Sequence, residues 1–142
     1  MICSITMGRS LSILFLSLLC VVSCDYRDDS SKITFTPAEK VIGAEGGTAS
    51  FVSSAAFLTV YKDCYFFEGE AKKSFMDNVK TEYFEENGDC RLSGPWFTIE
   101  ARKQEELTVS LEINDTGKRR SIHVIVSGLA RGGSVDIIQT AE

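Results

Sequence analysis

Strict alternation limits this chain more than any other feature. Leu107, Val109, Leu111 and Ile113 put apolar side chains at every second position, with Thr108, Ser110 and Glu112 between them. Only an extended strand places such a set on one face, so this stretch reads as a half-buried strand. Asn114-Asp115-Thr116-Gly117 follows with turn residues, and Ile122, Val124 and Val126 resume the alternation. The two segments are expected to pair as an antiparallel hairpin. A second turn at 129–133, with Gly132-Gly133 expected to supply positive backbone dihedrals, leads to a last strand at 135–139. Upstream, 33–36, 48–53 and 57–61 are further strand candidates, punctuated by Gly46-Gly47. No long helical period interrupts them after the first two dozen residues. About seven short strands in roughly 110 residues predict an all-β fold, an immunoglobulin-like antiparallel sandwich.

The N-terminal segment has another character. Arg9 precedes an apolar run from Leu11 to Val22, which ends in Val21-Val22-Ser23-Cys24. This resembles a bacterial lipoprotein signal, with a cationic start, a short apolar stretch and a small residue before the cysteine. The run offers about 12 residues where a spanning helix needs about 20, which argues against a transmembrane anchor. An ordinary secretory signal fits less well, because Val21 stands where a small residue is usual. The resemblance implies cleavage before Cys24, lipidation of its sulfur, and a mature protein held to the bilayer by two or three acyl chains. On this reading residues 1–23 are a signal peptide and 24–32 a polar tether. The domain follows at 33–142. Asp28-Asp29 resembles the acidic pairs that accompany surface display in the Bacteroidetes lipoprotein class, so the expected location is the cell envelope, at the outer membrane and on its outer surface.

Composition narrows the partners. The chain carries a formal charge of −5, and removing the signal takes away only Arg9. Apart from Lys118-Arg119-Arg120 at a turn there is no basic block to neutralise phosphates, so nucleic acid is not expected as a partner. Five cysteines sort by compartment: Cys3 and Cys20 leave with the signal and Cys24 takes lipid, leaving Cys64 and Cys90. In an oxidising envelope this pair is expected to form a disulfide worth about 3–4 kcal/mol by chain entropy. The rival, two thiols as metal ligands, lacks a nearby histidine and zinc-like spacing.

The order of motifs resembles a family, the Bacteroidetes-associated carbohydrate-binding-often-N-terminal (BACON) domain. Gly46-Gly47-Thr48 is similar to its opening turn and Pro95-Trp96-Phe97-Thr98-Ile99 to its tryptophan strand. Residues 114–120 resemble its turn before a strand, and Val135-Asp136-Ile137-Ile138-Gln139 its closing strand. Residues 94–139 carry most of the likeness, which implies association with carbohydrate or mucin. The departure is 62–93, read here as an inserted loop bearing both cysteines.

Aromatics crowd this stretch: Tyr61, Tyr65, Phe66, Phe67, Phe75, Tyr83 and Phe84 lie among charged residues. Exposed rings there could stack on sugars or anchor a protein, whereas buried ones would form a satellite cluster. Tyr61, Tyr65, Phe66, Tyr83, Phe84 and Trp96 are the candidate ligand contacts, with core packing the competing role for Phe66 and Trp96. His123 reads as an exposed strand residue. No serine elbow, paired histidines or phosphate loop appears, so neither catalysis nor a cofactor is expected. Asn114-Asp115-Thr116 matches a glycosylation sequon that turn chemistry also explains. Glu85, Glu86 and Asp89 are too few oxygen donors to identify a calcium or other metal site. The expected function is a lipid-anchored binding module for glycan or glycoprotein, and its rival is a non-catalytic subunit of a surface complex.

Overall fold

The computed structural model describes residues 32–60, 63–84 and 89–142. In chain order the elements are β1 (Phe35–Thr36), β2 (Glu39–Ile42), β3 (Gly47–Ser53), β4 (Thr59–Val60), β5 (Tyr65–Glu68), β6 (Ala71–Ser74), α1 (Phe75–Asn78), β7 (Lys80–Tyr83), β8 (Cys90–Ser93), β9 (Phe97–Arg102), β10 (Glu106–Leu111), β11 (Arg120–Ser127) and β12 (Gly132–Gln139). The first sheet runs β1-β3-β10-β9-β8-β7. The second runs β2-β12-β11-β5-β6, with β4 also on β11. β2 lies parallel to β12, and the other named pairs are antiparallel. The fold is an all-β, immunoglobulin-like sandwich, as the alternation predicts.

Period two builds the core. β9 buries Phe97, Ile99 and Ala101, β10 buries Leu107, Val109 and Leu111, and β11 turns Ile122, Val124 and Val126 toward them from the second sheet. Each outward neighbour is partly or fully exposed, so the two inner faces meet as one apolar layer.

The expected β10–β11 hairpin does not form. β3 and β9 occupy both edges of β10, so the chain leaves at Leu111 and crosses to the other sheet. Ile113 drops out of the alternation and is 65% exposed. Asn114 anchors the crossing with no exposed surface. Its amide donates to the carbonyls of Lys118 (2.7 Å) and Thr140 (2.9 Å), while its oxygen accepts from the Thr116 hydroxyl at 2.7 Å. The sequon residues thus serve the turn, in line with their reading as turn chemistry.

Glycine roles also differ from expectation. The positive φ of the β11–β12 turn belongs to Ala130 (64°), not to Gly132 or Gly133. Gly133 is needed for close approach instead, since a Cβ there would lie 2.2 Å from the Ile33 carbonyl oxygen. Gly46 does serve a turn, with φ at 79°.

The described residues of 62–93 are not the inserted loop expected from the sequence. They supply β5 and β6 to the second sheet and β7 and β8 to the first, with α1 between, capped by Ser74 accepting from the Met76 amide at 3.2 Å. This raises the count from the expected seven strands to twelve among the described residues. The expected disulfide is not formed: Cys64 and Cys90 are both buried, and no bridge joins one to the other. Cys64 lies beside the second sheet, its sulfur accepting from the Ile125 amide at 3.0 Å. Cys90 faces Ala101 in the first. Burial, and then the Asp89 charge, push the Cys90 thiol up. A shared compartment supplies the chemistry for a bridge but not its geometry.

Candidate functional site

β5, β11 and β12 lie side by side, and their register sets Tyr65 opposite His123 and His123 opposite Asp136. Alternation along β5 turns Phe66 into the core and leaves Tyr65 and Phe67 on the outer face. There the Tyr65 ring stacks on the His123 imidazole, centroids 4.8 Å apart, and Phe67 meets Tyr65 edge-on at 5.7 Å. From β6 on the other flank, the Lys72 ammonium sits 3.9 Å from the Tyr65 ring centre. Each such contact contributes about 0.5–1 kcal/mol, enough together to hold the rings in one arrangement.

His123 is half-buried rather than exposed, and its Nδ1 lies 2.7 Å from the Asp136 carboxylate. With a carboxylate oxygen as acceptor, Nδ1 is the donor of this pair. A concavity of about 390 Å³ lined by Asp63, Cys64, Tyr65, Lys72 and Ser74 adjoins the strip. The face thus combines apolar ring surface with a cation, a carboxylate and an imidazole.

The other sequence candidates are scattered. Phe66 and Trp96 are core residues, at 0% and 4% exposure, with their rings edge-to-face at 5.8 Å. The Arg120 guanidinium lies 5.0 Å from the Trp96 ring centre and reaches Glu68 at 3.3 Å, covering Trp96 from its own side. Tyr83 (68% exposed) and Phe84 (46%) sit at the end of edge strand β7, away from Tyr65. Cys24, Tyr61, Glu85 and Glu86 lie outside the described residues. Among the described residues no helix is long and apolar enough to cross a membrane.

Phe84 borders a cavity of about 290 Å³ with Asp89, Arg91, Glu100 and Arg102. Arg91 and Arg102 each bind the Glu100 carboxylate at 2.6 Å. Hydrogen bonds from Arg91 and then Arg102 hold that carboxyl below its ordinary range, against partial desolvation. A depressed folded-state pKa stabilises above the unfolded value and is lost as pH falls through the folded one. The pairs are partly exposed, so the expected contribution is about 0.2–1 kcal/mol each. Urea unfolding of wild type and Glu100→Gln should differ by that much at neutral pH and converge in acid. An undiminished gap in acid would refute the assignment.

In the sequence Phe67 is one of a crowd, and nothing local marks His123, Asp136 or Lys72 as site residues. The outward phase of β12 (Asp136 between inward Val135 and Ile137) is legible in one strand. The register that lines Asp136 up with His123 and Tyr65 is not.

No protein-family model matches the chain, and no curated protein does. Among solved structures, a protein from Bacteroides thetaiotaomicron determined by NMR is similar in fold, with 20% sequence identity and a TM-score of 0.50. The match covers 74% of this chain and 77% of that one. At this identity the likeness speaks to the fold alone, and it agrees with the sandwich described above.

Proposed function

We propose that this protein is a lipid-anchored, non-catalytic binding module of the bacterial cell envelope, held at the outer membrane through Cys24, and that it takes glycan or glycoprotein ligands on the outer face of the second sheet. The observation that carries the reading is the strip of Tyr65 and Phe67 flanked by His123, Asp136 and Lys72. A sugar offers an apolar ring face and a rim of hydroxyls, and this strip offers aromatic surface with donors and acceptors at its border. A subunit interface would call instead for a broad apolar patch with few charges at its centre. The resemblance of 94–139 to the BACON domain, and of the first 24 residues to a lipoprotein signal, supports the same reading.

Residues 25–142 should retain glycans or mucin in an array and pull-down screen. Phe67→Ala and Tyr65→Ala should each weaken binding by about tenfold, the equivalent of one lost stacking contact. Silence of the folded domain across plant, host and microbial glycans would sink the carbohydrate reading and direct the search, by crosslinking on cells, to a protein partner.

A further inference from the structure

We infer that the end of the sandwich at which the tether joins rests on the lipid surface, with Leu58 and Leu129 as its apolar contacts. This rests on the anchoring of Cys24 proposed above. Lys32 bridges to Gly132 and the Ile33 amide donates to the Gly132 carbonyl at 2.8 Å, so the described chain begins against the β11–β12 turn. Only eight peptide steps separate Lys32 from Cys24. Fully extended they reach at most about 29 Å, and a relaxed coil of that length spans about 16 Å. Lipid at Cys24 therefore keeps this end, rather than the opposite one, within a short distance of the bilayer.

The side chains at this end suit such a neighbour. Leu129, at 83%, is the most exposed large apolar residue described, and Leu58 is 52% exposed. Both border a groove of about 510 Å³ with Ala55, Ala56, Gln104 and Arg131. Hydrogen bonds tie the turns together here: the Phe57 amide donates to the Gln104 carbonyl and the Leu58 amide to that of Ser127. The groups beside the leucines are cationic, since Arg131 lines the groove and Lys32 is bridged to the next residue, whereas the chain as a whole is acidic. Among the described residues the acids of this end, Asp89, Glu105 and Glu106, sit on the β7–β8 turn, the β9–β10 turn and the start of β10, all in the first sheet. Apolar tips between basic residues fit the boundary between acyl chains and phosphate headgroups. The Tyr65 strip, on a sheet face rather than an end, stays open in this orientation.

The full chain, made with its own leader in a bacterium that lipidates and purified in detergent, would be reconstituted into vesicles of mixed zwitterionic and anionic phospholipid. Intact mass first reads whether Cys24 carries diacylglycerol. An unmodified cysteine would remove the anchoring reading and this inference with it. On the lipidated protein, an environment-sensitive probe at Leu129→Cys is compared with one at Ile113→Cys, an exposed position at the opposite end, with the wild-type chain as labelling control for the buried thiols. Lipid-borne quenchers should act about threefold or more strongly at 129 than at 113, as shallow burial of an apolar tip requires. Equal, water-like quenching at both positions on a protein whose lipidation is confirmed would overturn the inference and leave the anchor standing.

Discussion

Phe66→Ala is expected to cost about 3–5 kcal/mol, as large cavities in packed aromatic cores do. The Phe66 ring has no exposed surface and meets Phe97 at 5.2 Å, Trp96 at 5.8 Å and Phe75 at 6.2 Å. It comes from β5, while Trp96 and Phe97 belong to the first sheet and the turn before it, so this one ring joins the two layers. A domain of ordinary stability, about 5–15 kcal/mol, would lose a large fraction of it. Urea denaturation with unchanged m-value is the measurement. A loss below about 1 kcal/mol would mean that 62–93 lies on the sandwich as a satellite and not within it.

Asn114→Ala is expected to cost about 1–3 kcal/mol, because a fully buried side chain loses three part-buried hydrogen bonds at once. The carbonyls of Lys118 and Thr140 lose their donor, and the Thr116 hydroxyl loses its acceptor. These bonds pin the crossing between sheets to the end of the last strand, so their loss should also loosen residues 112–119, measurable as faster amide exchange there. An exposed sequon asparagine would tolerate the change within about 0.5 kcal/mol. That smaller result, or a glycan found on Asn114, would contradict the buried role.

Three places show where sequence reasoning succeeds and where it stops. Along β10 and β11 the alternation names the strands and, Ile113 aside, their inward residues, because facing in or out is a property of one strand and its neighbouring layer. It failed on the pairing of β10 with β11, since adjacency in sequence favours a hairpin only when an edge is vacant, and β3 and β9 had taken both. It failed again at 62–93, where charged residues hide the period: β6 and β7 are edge strands, exposed along most of their length, and an edge strand needs no clean apolar face.

The candidate site divides the same way. Tyr65 was legible as a surface aromatic, but the stacked imidazole, the ammonium over the ring and the carboxylate behind it come from three other strands. Trp96 and Phe66 carry the same aromatic signature in sequence and are core, because burial depends on what the opposite sheet places over them.

The sequence by itself determined the all-β class, the inward phase of β10 and β11, the turn at Gly46 and the turn that leads into the last strand, all consequences of local sterics and period-two geometry. Tertiary structure alone decided which sheet each strand joins, that Cys64 and Cys90 stay apart, that Asn114 is an internal strut, and that Tyr65, Phe67, His123, Asp136 and Lys72 share one face. Those outcomes depend on contacts between residues far apart in the chain, whose energies exist only once the two layers have closed on one another.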